Sequence, residues 1–200
     1  MTNFIYRRKN AFSRSLCRSF IETFEIDKEK QSPGVVRKGD VVKTHPETKV
    51  STDISFDPRD LEDPKWNFLL NSLIGVLHLG KSDYTQQFYR GIEALNPFDI
   101  HHSFNMQRYN PGEGYTEYHC ERAGYGSRRM LVWMIYLNDV NDRGWTEFYY
   151  QQHYEAAEEG KLVIWPSNFT HTHRGIVSNT ETKYVLTGWY TFTELKDEKS

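Results

Sequence analysis

Three short segments of the sequence place a glutamate two residues after a histidine. They are His45-Pro46-Glu47, His119-Cys120-Glu121 and His153-Tyr154-Glu155. Side chains at i and i+2 of a β-strand point to the same face, so each pair, if extended, would present an imidazole and a carboxylate together. One further imidazole would complete a set of two histidines and one carboxylate. Such a set binds Fe(II) from one side and leaves three coordination positions open.

The surroundings of each pair distinguish between them, because a chain with 8 histidines and 27 acidic residues contains about one such pair by chance. His45 lies in a polar, proline-containing stretch, and His153 lies in QQHYEAAEEG, which is typical of a solvated turn. Only His119 follows a glycine-rich, tyrosine-bearing segment, RYNPGEGYTEYHCE. We therefore predict that His119 and Glu121 are the metal-binding pair.

The stretch SNFTHTHRG supplies two candidates for the distant imidazole, His171 and His173. In a strand both rings would point to the same face, because they are two residues apart. Strand geometry alone therefore leaves either histidine as the third ligand.

Composition excludes several classes of protein. The 200 residues fit one domain with a sizeable core, and the net charge of -2 argues against a broad surface for nucleic acid or anionic membrane. Cys17 and Cys120 stand far apart and outside any CxxC pair, so we expect neither a disulfide framework nor a cysteine zinc site. Free thiols suggest a reducing compartment. We find no typical secretory signal and no run long enough to span a bilayer, and we expect a cytoplasmic location.

The elements that must position these residues change character at Pro97. Before it, residues 11–25 and 64–92 have the apolar spacing of helices, while residues 28–63 read as a polar loop and hairpin that could form a mobile cover. After it, short runs rich in aromatic and β-branched residues alternate with turn residues. These runs predict strands at 103–109, 114–120, 129–137, 146–151, 161–166, 171–176 and 183–192.

Strands at this spacing favour a sandwich or barrel, with helices packed outside it. We predict a single domain over residues 1–200. Its helical support would cover about residues 10–95 and its β core about residues 100–193.

A longer pattern runs through residues 103–192. Its elements are Arg108-Tyr109, Gly112, Tyr115, His119-Cys120-Glu121, Tyr136-Leu137-Asn138, Gly144 with Thr146-Glu147-Phe148, His173 with Gly175, and Lys183-Tyr184 with Thr187 and Trp189. In this order and spacing the sequence resembles the Fe(II)- and 2-oxoglutarate-dependent dioxygenases, specifically the compact bacterial and viral type of the prolyl 4-hydroxylase branch. The resemblance implies a mainly β fold with flanking helices, in which N-terminal helices support a double-stranded β-helix (jelly-roll, cupin-like) core.

The resemblance also implies roles for individual residues. Fe(II) would be held by His119, Glu121 and His173, because the basic residue of the branch stands ten positions after its distal histidine, as Lys183 does after His173. His171 would then be a neighbour on the same face, hydrogen-bonded to a main-chain or side-chain group. The cosubstrate 2-oxoglutarate would be bound by Lys183, Tyr109, Tyr136 and Thr187. The substrate side would be lined by Arg129, Trp189 and Tyr115.

The implied reaction is hydroxylation of a C–H bond with O2, coupled to conversion of 2-oxoglutarate to succinate and CO2, with ascorbate as a possible reductant. A prolyl residue in a peptide or protein is the first expectation for the substrate. The alternatives are a free amino acid or other small metabolite and, from a different class, a non-catalytic cupin-like metal- or ligand-binding module. The sequence departs from the branch at Glu121, where aspartate is usual, and RGWTEF lacks the usual paired glycine.

Overall fold

The computed structural model describes residues 2–38, 41–122 and 127–193. In these residues the helices are α1 (Arg14–Ile26), α2 (Asn67–Gln87) and α3 (Tyr89–Ile92). The strands are β1 (Tyr6–Arg8), β2 (Ser32–Pro33), β3 (Val36–Lys38), β4 (Val41–Lys43), β5 (Thr52–Phe56), β6 (Phe98–Ile100), β7 (Phe104–Tyr109), β8 (Arg129–Tyr136), β9 (Thr146–Phe148), β10 (His153–Glu155), β11 (Leu162–Pro166), β12 (His173–Gly175) and β13 (Lys183–Phe192). None of the described helices is long and apolar enough to cross a membrane.

Two antiparallel sheets form the β core. The larger sheet has the strand order β1-β11-β8-β13-β7-β5-β2, and β6 pairs with the far end of β13. The smaller sheet has the order β10-β9-β12, and a single bridge between His119 and His173 extends it. This is the double-stranded β-helix expected from the sequence, with helices beside a mainly β core.

Helix α1 forms where the sequence combines a cap with a helical apolar face. The Ser13 side chain accepts a hydrogen bond from the Leu16 N–H at 3.2 Å, which satisfies one free donor of the first turn. Cys17, Phe20 and Phe24 recur three and four residues apart and are fully buried. This face packs into the core beneath the larger sheet, so α1 supports the sheet from outside.

Strand β13 separates two layers because its side chains alternate between faces. On one face, Tyr184, Leu186 and Tyr190 contact the core shared with the helices. On the other face, Lys183, Val185, Thr187 and Trp189 line a cavity between the sheets. At Gly188 a Cβ atom would lie 2.5 Å from the Trp133 ring, so only glycine fits between the strand and this indole.

The structure corrects three predicted strands. Residues 114–120 form no continuous strand, because Tyr115 bridges to Lys49 whereas His119 bridges to His173. The strand predicted at 146–151 ends at Phe148, where a turn closes with Gln152 at a φ of 48°. The strand predicted at 171–176 begins only at His173, because residues 169–171 form a 3₁₀ turn.

The segment at residues 28–63 is only partly the loop and hairpin that its composition indicates. β3 and β4 do form a hairpin, but β5 pairs along its whole length with β7 and belongs to the larger sheet. Ile54 and Phe56 are buried on one face of β5, a short alternation that the surrounding polar residues obscure. The short strands β1, β6 and β10 also escaped prediction, since three residues carry little periodic signal.

Candidate active site

Three side chains converge between the two sheets. The ligand atoms of His119, Glu121 and His173 all lie within 4.8 Å of one another. The chain brings the two histidines together through paired backbone hydrogen bonds, from the His119 N–H to the His173 carbonyl at 3.0 Å and in return at 2.9 Å. Glu121 follows His119 by two residues, so the sequence-predicted pair and its distant partner share one small volume.

The hydrogen bonds of both imidazoles favour the tautomer that a metal needs. His119 Nδ1 lies 2.9 Å from the Glu117 carbonyl, and His173 Nδ1 lies 2.8 Å from the His171 carbonyl. A carbonyl only accepts, so Nδ1 carries the proton in each neutral ring and the Nε2 lone pair is free to bind. Burial, with a smaller effect of His119, lowers the pKa of His173 to about 3, which keeps this ring neutral near pH 7.

The side chain of Glu121 is ionised, and its two carboxylate oxygens have different neighbours. Burial opposes its ionisation, but the neighbouring His119, assisted by His173 and Arg129, lowers the pKa to about 2. Oε2 accepts hydrogen bonds from an Arg129 Nη at 2.8 Å and from Trp189 Nε1 at 3.0 Å. Oε1 lies 3.4 Å from His119 Nε2. An anionic oxygen therefore faces the two imidazoles.

The same residues open onto a cavity of about 580 Å³, which also contains a buried cation. The side chain of Lys183 reaches this cavity from β13, although the residue is only 7% exposed. Its Nζ donates to the Gly144 carbonyl at 3.0 Å and lies 5.0 Å from the centre of the Tyr109 ring. Within the described ranges no carboxylate forms an ion pair with it. Burial lowers the pKa of Lys183 to about 8.

The other predicted cosubstrate residues occupy different positions relative to the cavity. Tyr109 and Thr187 line it, and their hydroxyls donate to Gln107 Oε1 at 2.9 Å and to the Trp133 carbonyl at 3.1 Å. Tyr136 is fully buried behind the wall, and its hydroxyl lies 2.7 Å from Thr146 Oγ1. Thr146 does line the cavity, so it stands between Tyr136 and the space inside.

Comparison with known protein families identifies a domain within the chain. Residues 104–191 match the model of the 2OG-Fe(II) oxygenase superfamily. This segment runs from β7 to β13 and contains all three converging side chains as well as Lys183. The chain carries a 2OG-Fe(II) oxygenase domain. It is a 2-oxoglutarate-dependent dioxygenase whose metal is Fe(II) and whose cosubstrate is 2-oxoglutarate. Among curated proteins, none matches the sequence of this oxygenase.

Solved structures share the fold of the oxygenase over nearly its whole length. A prolyl-4-hydroxylase from Pseudomonas putida has a TM-score of 0.69 at 19% identity and covers 96% of this chain and 95% of its own. A prolyl hydroxylase from Trichoplax adhaerens, in complex with a hypoxia-inducible factor peptide fragment, scores 0.70 at 15% identity, covering 96% and 84%. The viral collagen prolyl hydroxylase of Paramecium bursaria Chlorella virus-1, complexed with 2OG, scores 0.60 at 13% identity, covering 94% and 95%. At these identities the likeness is one of fold.

The residues of the oxygenase fit both groups that the family implies. Two imidazoles and a carboxylate are the donor set of a facial Fe(II) site. A dianionic cosubstrate needs a cation deep in the same cavity, and Lys183 is a buried ammonium with a carbonyl as its described acceptor. Leaving such a charge without a counter-ion is costly unless a bound anion compensates it. One cavity therefore provides a donor set that suits Fe(II) and a cation that suits 2-oxoglutarate.

The residues predicted for the substrate side all line the cavity, and all three also contact the predicted ligands. The polar groups of Arg129 and Trp189 hydrogen-bond to Glu121, and the Arg129 guanidinium lies 3.4 Å from the centre of the Trp189 indole. The Tyr115 ring stacks on His119, with centroids 3.9 Å apart and planes 9° from parallel. These contacts place the residues predicted for the substrate side directly against the predicted ligands.

The structure separates His171 from His173, whereas the expected strand would have placed both rings on one face. His171 is not on the same strand face as His173, because it ends a 3₁₀ turn instead of entering β12. Its Nε2 lies 2.8 Å from the Asn3 carbonyl and its Nδ1 lies 2.9 Å from Thr170 Oγ1. Both ring nitrogens are engaged away from the ligand cluster, and the hydrogen bond to a main-chain group agrees with the prediction for His171.

The two rejected histidine pairs lie elsewhere. His45 Nδ1 lies 3.0 Å from Thr48 Oγ1 in the turn before β5. His153 Nε2 lies 3.0 Å from a Glu155 oxygen and 2.7 Å from an Arg7 Nη on the outer edge of the smaller sheet. Neither pair joins a third ligand in the described residues.

Sequence reasoning missed a polar network in the cavity wall. Lys49 and Asp53 form a buried ion pair at 2.6 Å, and Asp53 also accepts hydrogen bonds from Ser51 at 2.7 Å and Gln107 at 3.1 Å. Through Gln107 the network reaches the hydroxyl of Tyr109. The only signal was a polar segment that looked solvated, because Gln107 joins it only when β5 pairs with β7.

Proposed function

We propose that this oxygenase hydroxylates a prolyl residue within a peptide or protein, with succinate and CO2 as co-products. The observation that carries the proposal is a single cavity with the three convergent ligands on one wall and a buried ammonium on another. The shared fold with prolyl hydroxylases from a bacterium, an animal and a virus supports the choice of substrate.

In this proposal Fe(II) is held by Nε2 of His119 and His173 and by Oε1 of Glu121. The metal supplies the activation of O2 that no side chain can provide. Lys183 binds the far carboxylate of 2-oxoglutarate, and Tyr109 and Thr187 line the cavity that holds it. The buried lysine thus selects a dicarboxylic acid, because a shorter monoacid would leave the ammonium without a partner.

The mouth of the cavity fits a polypeptide better than a free amino acid. The β3–β4 hairpin contributes Val36 and Val42 to the lining, and Val35 adds to it from just before β3. Val36 is buried, but Val35 is 45% exposed and Val42 is 47% exposed, so apolar surface continues outward from the cavity. A chain extending on both sides of the reacting residue would cover this surface, whereas a small polar metabolite would not.

Peptide and metabolite screening by mass spectrometry tests the proposal. Proline-containing peptides, with Fe(II), 2-oxoglutarate, ascorbate and air, are expected to gain the mass of one oxygen atom on proline and to release one succinate for each product. Free proline and other free amino acids are the comparison set, and His173→Ala is the inactive control. Products from free amino acids but from no peptide would replace this substrate class with the small-metabolite alternative.

A separate measurement tests the cosubstrate arrangement without any substrate. Anaerobic addition of Fe(II) and 2-oxoglutarate should produce a visible charge-transfer band that neither component gives alone. Lys183→Met should require much more 2-oxoglutarate to reach the same absorbance. A band with unchanged 2-oxoglutarate dependence in that variant would contradict the role of Lys183.

A further inference from the structure

The carboxylate of Glu121 is held from one side by two groups that come from different strands. Oε2 accepts from the Arg129 guanidinium at 2.8 Å and from the Trp189 indole N–H at 3.0 Å. Arg129 stands at the start of β8 and Trp189 near the end of β13. The same Arg129 Nη reaches the Glu121 carbonyl at 3.3 Å. Both donors act on the oxygen that does not face the His119 ring.

Arg129 and Trp189 also contact each other directly. The Arg129 guanidinium carbon lies 3.4 Å from the centre of the Trp189 indole, a cation–π contact within the usual range of about 6 Å. The register of β8 on β13 shifts by one residue between Tyr190 and Thr191. Leu131 pairs with Tyr190 and Arg129 pairs with Thr191, so Met130 has no partner on β13. Met130 packs with the core under the helices, and Arg129 lines the cavity instead.

The length of the glutamate side chain matches this arrangement. Aspartate at position 121 would withdraw the carboxylate by about 1.5 Å, the length of one carbon–carbon bond. Starting from 2.8 and 3.0 Å, both contacts to Oε2 would then exceed hydrogen-bond distance. Both donors therefore require a glutamate at position 121, where aspartate is usual in the branch.

We propose that Arg129 and Trp189 are positioning residues that make Glu121 a ligand through one oxygen only, an inference that rests on the proposed Fe(II) site. With Oε2 engaged by two donors, only Oε1 is free to bind the metal. A glutamate that used both oxygens would occupy one of the three positions that the reaction requires open. The pair thus fixes the number of open positions, in addition to lining the cavity.

Metal binding without substrate tests this directly. Trp189→Phe keeps an aromatic ring beside Arg129 but removes the N–H donor, and Arg129→Met keeps an unbranched chain but removes the guanidinium. Each should weaken Fe(II) or Co(II) binding at least about 10-fold, the lower end for the loss of a group that orients a ligand. The Co(II) absorption spectrum should also shift, since the carboxylate becomes free to bind through both oxygens. Trp145→Phe is the matched control, because Trp145 packs on Tyr154 outside the ligand cluster and should leave both measurements unchanged.

A double-mutant cycle separates this role from a contact with substrate. If Trp189 acts through Glu121, Trp189→Phe should change metal affinity little once Glu121→Asp has already broken the contact. Equal effects of Trp189→Phe in both backgrounds would overturn the inference. So would variants that bind metal as the wild type does while the KM for a peptide rises. A wild-type protein that binds no divalent metal would instead remove the iron site itself, and with it the inference.

Discussion

Replacement of Lys183 by methionine should change stability in a way that depends on pH. Burial lowers the pKa of this lysine from 10.5 to about 8, which corresponds to a cost of about 3 kcal/mol for keeping it charged in the folded protein. Methionine has a similar length and carries no charge. Below about pH 8 the variant therefore avoids this cost, although the Gly144 carbonyl loses its donor.

The sign of the pH dependence follows from proton binding. Between about pH 8 and 10.5 the unfolded lysine keeps its proton while the folded lysine has lost it, so the stability of the wild type rises with pH. The methionine variant has no such titration. The stability of the variant relative to the wild type should therefore fall by about 2.5 kcal/mol between about pH 7 and pH 10. The lost hydrogen bond to Gly144 adds a constant offset and leaves this slope unchanged.

Urea unfolding of both proteins at matched pH measures the difference, and other titrating groups cancel because they are common to both. Lys161→Met is the matched control, since Lys161 is equally buried but forms ion pairs with Glu155 at 2.7 Å and Glu158 at 2.9 Å. Removing it leaves Glu155 as a buried charge with one fewer partner, so this control should be destabilised near neutral pH. A stability difference between wild type and Lys183→Met that is constant from about pH 7 to pH 10 would refute the reasoning.

Three further expectations concern single features. His173→Ala should abolish Fe(II) binding in a metal titration, whereas His171→Ala should keep it, with some loss of stability from the freed Asn3 carbonyl; the opposite result would reverse the ligand assignment. Gly34→Ala would place a Cβ 2.0 Å from Ser51 Oγ, so we expect a loss of about 1–3 kcal/mol in urea unfolding, relieved in part by adding Ser51→Gly. Shortening the β3–β4 hairpin should raise the KM for a peptide more than that for 2-oxoglutarate, and equal effects in steady-state assays would reject its role as a cover.

The sequence was most informative where candidate site residues lie close together in one short segment. His119 and Glu121 could be found because a two-residue spacing and its glycine-rich lead-in are properties of a short segment. The spacing from His173 to Lys183 was informative only because the dioxygenase branch that the sequence resembles has the same ten-residue spacing.

Other features could not be read because they depend on which strands become neighbours. Lys49 and Asp53 look like solvated charges until β5 pairs with β7 and buries them. Trp189 lies 68 residues from Glu121 in the chain, and nothing in either segment indicates that an indole N–H will reach that carboxylate. The 3₁₀ turn at His171 was missed because alternating polar residues mimic a strand, while the Asn168 side chain caps a turn there.

The short strand β1 has a consequence for how the molecule behaves among its own copies. It pairs with β11, which would otherwise be the edge strand of the larger sheet, and the side chains of Tyr6 and Arg8 hydrogen-bond to Asp83 of helix α2 at 2.6 and 2.8 Å. Without these few residues, β11 would expose a row of free N–H and C=O groups along an apolar strand. Such an edge recruits strands from other molecules and promotes aggregation. The pairing of β1 with β11 therefore prevents this strand of the larger sheet from pairing with other copies of the protein.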